Sequence, residues 1–234
     1  VIDRLETLAE GTPAEILLQT LERQGPVRLQ DLLEASHLGD EATDAFEELL
    51  AASDVVVLAA DGEPRPGRMV ASRGWWSDRV DRIERALAAY HQRYPLRPGM
   101  GREALRSQLR LEPRTFNGVT ARAEAEGVLV DEGATVRLPD HQVRFSPQQQ
   151  QAVDALLARF RREGTTPPST KEAVEAVGEE VLTVLLSRGE LDQVSPDVLF
   201  LSSTYREMCQ GVVDHIQQHG DITLGQARDI FHTS

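Results

Sequence analysis

The sequence predicts a mainly α chain with small β-wings, and three observations predict it. A cassette recurs about three and a half times: a capped amphipathic helix, a short extended stretch, two further helices and an apolar two-strand hairpin. Acid-glycine pairs separate the β-branched runs of two hairpins. With 40% hydrophobic and 27% charged residues, the composition is that of a globular chain, neither disordered nor membrane-spanning.

Each copy opens on a hydroxyl. In Thr12-Pro13-Ala14-Glu15, Ser146-Pro147-Gln148-Gln149 and Thr204-Tyr205-Arg206-Glu207, the Ser or Thr can accept from the third helical N–H while Glu or Gln reaches back. The second copy is expected to start at Ser77-Asp78. Apolar residues then recur on one helical face: Leu17, Leu18 and Leu21; Val80, Ile83, Leu87 and Tyr90; Val153, Leu156, Leu157 and Phe160; Met208, Val212 and Ile216. Gly25-Pro26, Tyr94-Pro95, Gly164 and Gly220 end these helices.

Extended pieces are expected at 27–29, 96–100, 165–169 and 222–224, followed by short helices around Leu32-Leu33, 105–109, 173–177 and 227–231. Third helices are expected at 40–52, 113–126 and 179–187. The hairpins come next. Val55 to Leu58 turns through Asp61-Gly62 to Arg68-Met69-Val70, and Val128 to Val130 turns through Glu132-Gly133 to 135–138. Leu191 to Val194 turns through Ser195-Pro196-Asp197 to Val198-Leu199-Phe200. Glycine supplies the positive φ that a tight hairpin requires. Helix, helix, helix, wing is a winged helix, and the chain divides into winged helix 1 at 1–72, winged helix 2 at 73–140, winged helix 3 at 141–201 and a partial winged helix 4 at 202–234.

Modules of about 60 residues bury only about 60% of their unfolded surface, so neighbours are expected to pack together. The connectors are short: 72–76, 139–145 and Ser202-Ser203. The absence of Met at position 1 predicts a piece of a longer chain, whose last copy stops where its third helix should begin. Cys209 is the only cysteine, so no disulfide framework or cysteine zinc site is expected; with no signal peptide in view, the cytoplasm is the expected compartment.

Net charge is −13, which argues against broad adhesion to nucleic acid, but its distribution is uneven. Residues 1–72 hold 5 basic against 15 acidic groups, whereas residues 73–145 hold 13 against 10. The first copy is therefore excluded as a phosphate binder, its third helix carrying Asp40, Glu41, Asp44, Glu47 and Glu48. Only the second copy has a third helix of the expected chemistry, and Arg114, Asn117 and Arg122 are its candidate nucleic-acid contacts, with Thr120 beside them and Arg102, Arg106 and Arg110 nearby. The same arginines could instead partner the acidic first copy.

The segments Leu5-Glu6-Thr7-Leu8-Ala9-Glu10-Gly11-Thr12-Pro13-Ala14-Glu15, Ser146-Pro147 and Ile222-Thr223-Leu224-Gly225-Gln226-Ala227-Arg228-Asp229-Ile230-Phe231-His232-Thr233-Ser234 resemble the C-terminal extension of the bacterial selenocysteine-specific elongation factor, SelB. That resemblance implies four winged helices that tether a GTPase and its selenocysteyl-tRNA to an mRNA hairpin beside a UGA codon on the ribosome. It also implies that GTP and Mg2+ belong to a GTPase domain absent here: no Gly-x-x-x-x-Gly-Lys-Ser/Thr loop occurs, and Lys171 is the only lysine. Thr233, Ser234 and Arg228 match the start of the family's RNA site in the fourth module, and Arg206 joins them on charge and proximity. No cofactor, metal, catalytic constellation or membrane contact is expected, and a monomer is. Two other classes compete: a tandem winged-helix DNA-binding regulator and a protein scaffold.

Other residues have a plainer reading beside the functional one. Trp75-Trp76 could stack on bases, but a boundary pair more often packs between neighbours. His215 and His219 have ligand spacing without an intervening Glu or a third ligand. Cys209 reads as core filling.

Overall fold

The computed structural model describes residues 11–231. Ile2, Leu5 and Leu8, which have helical spacing, and the candidate site residues Thr233 and Ser234 lie outside the described residues. The chain forms two compact units, Val1–Gln142 and Val143–Ser234.

In the first unit, α1 (Pro13–Gln24) starts at a complete capping box between Thr12 and Glu15 and ends at Gly25, whose φ of 74° no β-carbon opposes. It is followed by β1 (Val27–Arg28), α2 (Leu29–Ser36), α3 (Glu41–Ala51), β2 (Val55–Val57) and β3 (Met69–Ser72). These strands form an antiparallel sheet of order β1-β3-β2. A second set repeats the plan: α4 (Arg73–Arg93), β4 (Met100–Gly101), α5 (Arg102–Leu109), α6 (Pro113–Ala125), β5 (Val130–Asp131) and β6 (Thr135–Arg137), with sheet order β4-β6-β5. Gly62 and Gly133, with φ of 65° and 85°, fall in the two hairpin turns.

Strand β2 serves two cores at once. Val55 and Val57 pack with Leu17, Leu21, Leu32 and Phe46, whereas Val56 and Leu58 pack with Ile83, Leu87, Leu105 and Phe116. Successive side chains of a strand point to opposite faces, so a run that reads as uniformly apolar becomes a wall shared by two cores. The first wing is thus buried on both sides, which offsets the marginal size of each module.

Three expectations of element starts are corrected. The second copy opens at Ser72, not Ser77: β3 runs straight into α4, and Ser72 Oγ accepts from the Trp75 amide at 3.3 Å. The expected box at Thr204 does not form, because β8 (Val198–Leu201) likewise feeds α10 (Ser202–His219) without a linker. The piece expected to run extended over 222–224 stops at Thr223. Thr223 caps α11 (Leu224–Phe231), accepting from the Gln226 amide while Gln226 Oε1 accepts from the Thr223 amide at 2.8 Å.

The second unit begins with α7 (Pro147–Glu163), capped by the Ser146–Gln149 box. Then α8 (Thr170–Val177) starts at a box between Ser169 and Glu172, earlier than expected, and α9 (Glu179–Ser187) follows. Residues 165–169 are not a strand, contributing only a single bridge from Ser169 to Val198. Strand β7 (Leu191–Ser195) pairs antiparallel with β8 and shifts register between Gln193 and Ser195. Phe160, Ala173, Leu185, Leu191 and Leu199 are buried in this unit. Helix α10 buries only Ser202 among the described residues, and Ile216, expected to face a core, is 40% exposed.

Candidate nucleic-acid interface

In a winged helix the third helix and the wing are the usual reading surfaces. Among the described residues there are three such helices, α3, α6 and α9. Glu41, Asp44, Glu47 and Glu48 are exposed along α3, which makes that face repel a phosphate backbone. Helix α9 opens with Glu179 and Glu180 and turns Val181, Leu182, Val184 and Leu185 inward. Helix α6 has the right composition, but its basic side chains are engaged elsewhere.

The first wing sits on α6. A β-carbon on Gly118 would meet the Leu58 carbonyl oxygen at 2.6 Å, so the helix and the end of β2 touch backbone to backbone. Arg114 Nη2 donates to the Gly67 carbonyl at 2.9 Å. Arg122 pairs with Glu126 at 2.7 Å, its Nη1 lying 2.8 Å from where a β-carbon of Gly62 would be. The other oxygen of Glu126 accepts from the Trp76 indole at 2.9 Å, and Trp76 is only 2% exposed. Arg114 therefore ties α6 to the preceding hairpin and Arg122 lies against its turn, while Arg114 and Asn117 stay exposed.

Asn117 belongs to a different network. Its Oδ1 accepts from Arg102 Nη2 at 2.9 Å, and the same guanidinium reaches Thr120 Oγ1, forms an ion pair with Asp131 and lies over the Phe116 ring. Thr120 is buried and donates to the Phe116 carbonyl. These contacts lock α6 to α5 and to the wing of β5 and β6. Arg106 is bound to Glu103 at 2.6 Å, and that bond holds the Glu103 carboxyl below the usual carboxylate range.

The remaining candidates lie on the last two helices. Arg206 is exposed on α10, with Nε donating to the Ser202 carbonyl at 3.0 Å; Arg228 is exposed on α11. Trp75 is half-buried under the Arg79 guanidinium, 4.9 Å from its ring centroid, so both tryptophans are packed within the fold. His215 and His219 stack, with ring centroids 4.2 Å apart. Cys209 is exposed, correcting its reading as core: it lies on a face of α10 that buries nothing but Ser202 among the described residues, and the thiol hydrogen-bonds Tyr205, raising the phenol's pKa.

Residues 85–138 match the family described as "Elongation factor SelB, winged helix". The match runs from within α4 through β6, so it contains the α5, α6 and wing assembly held by Arg102. This segment is a SelB-type winged helix. The whole chain is also similar to the selenocysteine-specific elongation factor of Desulfomicrobium baculatum, at 23% identity over 98% of this chain. The chain spans 37% of that relative's length. The sequence contains no Gly-x-x-x-x-Gly-Lys-Ser/Thr loop, and among the described residues no group of three His, Cys, Asp or Glu side chains is placed to hold a metal ion. Among those residues no helix is long and apolar enough to cross a membrane.

Proposed function

We propose that the chain is the RNA-binding and spacer arm of a selenocysteine-specific elongation factor. It tethers the factor, with its selenocysteyl-tRNA, to an mRNA hairpin beside a UGA codon in the cytoplasm. One observation carries the reading: a SelB winged helix at 85–138 lies within a tandem array that aligns along nearly its whole length with a selenocysteine-specific factor. GTP and Mg2+ are handled by the GTPase of the parent protein, which acts as a monomer on the ribosome.

In this reading residues 1–72, 73–140, 141–201 and 202–234 are four winged-helix modules with separate duties. The first two act as a rigid coupler. Arg114 and Arg122 already have partners within the fold and the exposed face of α3 is acidic, which suits protein contact better than RNA. The RNA site lies in the last module, where Arg206 and Arg228 are exposed and Thr233 and Ser234 follow in sequence. Tethering raises the effective concentration of one tRNA at one codon, so modest RNA affinity suffices. Recognition of a hairpin by shape and loop contacts requires no reading of a deep groove.

Fluorescence anisotropy with a labelled hairpin at several salt concentrations tests this. Binding is expected to be steeply salt-dependent, with each of Arg206→Ala and Arg228→Ala lowering the log–log salt slope by roughly one. Equal binding of the hairpin and of a scrambled duplex, with both variants behaving as the parent, would overturn the assignment.

A further inference from the structure

The last turn of α4 buries a histidine. His91 is 8% exposed, and its ring lies flat on that of His141, with centroids 3.5 Å apart and planes 8° from parallel. His91 Nε2 accepts from the Leu138 amide at 3.2 Å. An acceptor nitrogen carries no proton, so the ring is neutral and its proton sits on Nδ1, which is buried without a partner. His141 Nε2 lies 2.9 Å from the Arg97 carbonyl oxygen, and only a protonated nitrogen can bond there. Two imidazoles thus fasten residues 138–141, just after β6, to α4 and to the loop beyond it. The same segment closes one side of a cleft of about 710 Å³ whose rim carries Glu84, Arg85 and Asp140.

We propose that the His91–His141 stack is a proton-operated clasp: while the His91 ring is neutral it holds residues 138–142 on α4, and protonation of His91 releases them. The proton would occupy Nε2, turning the acceptor for the Leu138 amide into a donor facing a donor. It would also place a cation flat against His141 and near Arg137. Around the pair, helix α4 and its exit contribute Glu84, Arg85, Tyr90, Tyr94 and Arg97; the segment after β5 contributes Arg137, Asp140 and His141; the end of α6 contributes only Gly127 and Val128. Glu84 and Asp140 are at the rim and do not hydrogen-bond either ring. Burial first, then His141 and Arg137, lower the His91 pKa from 6.5 to about 4. A base whose folded pKa lies below its unfolded one favours the closed form most above the unfolded value. The clasp is therefore complete above pH 6.5 and is lost as the pH falls through about 4.

Amide hydrogen exchange read by NMR on the full chain tests the clasp, with rates corrected for intrinsic pH dependence. Protection of the Leu138 amide is expected to fall at least tenfold between pH 6.5 and 4 while the Val136 amide stays protected. His91→Gln keeps an acceptor that does not titrate and should flatten the profile; His91→Phe should leave Leu138 unprotected throughout. His141→Gln should raise the His91 ring titration midpoint. If Leu138 and Val136 lose protection together, or if His91→Gln follows the parent profile, the clasp is wrong. Should His91→Phe not fold, the His91→Gln comparison decides alone.

Discussion

Gly118 lies directly beneath Leu58: a β-carbon at position 118 would stand 2.6 Å from the Leu58 carbonyl oxygen and 3.1 Å from its Cβ. That contact joins the third helix of one winged helix to the wing of the one before it. In an open helix, Gly→Ala is worth up to about 1 kcal/mol in favour of folding. At Gly118 the sign should reverse. Gly118→Ala is expected to destabilise the chain by about 2 kcal/mol, because neither backbone can retreat without opening a shared core. Gly74→Ala, in α4 with nothing within 4 Å, should be neutral or slightly stabilising. Urea titration of both variants reads the difference, and a stabilised Gly118→Ala would show that the seam is loose.

Glu126 serves two partners across that seam, the Trp76 indole and the Arg122 guanidinium. Glu126→Ala leaves a buried indole N–H unpaired, which costs about 1–2 kcal/mol. Glu126→Gln retains an acceptor for Trp76 and should lose less. Tryptophan fluorescence during unfolding follows both, and identical losses would mean that the Trp76 bond contributes nothing.

Arg102 joins Asp131, Asn117 and Thr120 and covers Phe116. Arg102→Ala is expected to destabilise the chain by about 2 kcal/mol, since Asp131 would remain partly buried and uncompensated. Lysine should not rescue it, because a single ammonium does not reproduce the planar fork. A thermal scan in which Arg102→Lys matches the parent would contradict this geometry.

Glu172 accepts from Arg159 at 2.7 Å and from both the amide and the hydroxyl of Ser169 at 2.9 Å, which lowers its pKa from 4.5 to about 2. A carboxylate with a depressed folded pKa supports folding above its unfolded value, and that support disappears as the pH falls from 4.5 through 2. Arg159→Ala removes the largest cause. The Glu172 carboxyl midpoint, followed by carbon-13 NMR, should then move up toward 4.5, whereas an unmoved midpoint would assign the shift to Ser169 alone.

Local signals were legible in the chain because each has a short-range mechanism. The boxes at Thr12 and Ser146 and the positive-φ glycines at Gly62 and Gly133 depend only on neighbouring residues, and they form as read. The start at Ser72 was obscured because a strand that becomes a helix without a linker leaves no polar break, and Trp75-Trp76 resembled a boundary. For the candidate site, composition identified Arg114, Asn117 and Arg122 as side chains able to bind phosphate or bases. It could not say what already binds them.

By itself the sequence determined the cassette, its approximate spacing, the acidic character of α3 and the resemblance to SelB, all of which follow from residue type and local order. Only the tertiary structure decided that β2 divides its side chains between two cores, that Arg114 and Arg122 face the preceding wing, and that His91 meets His141. The physical reason is distance along the chain. Arg114 finds its partner 47 residues away, as does His91, and no periodicity in a linear pattern specifies which buried or charged groups the packing of separate elements will bring together.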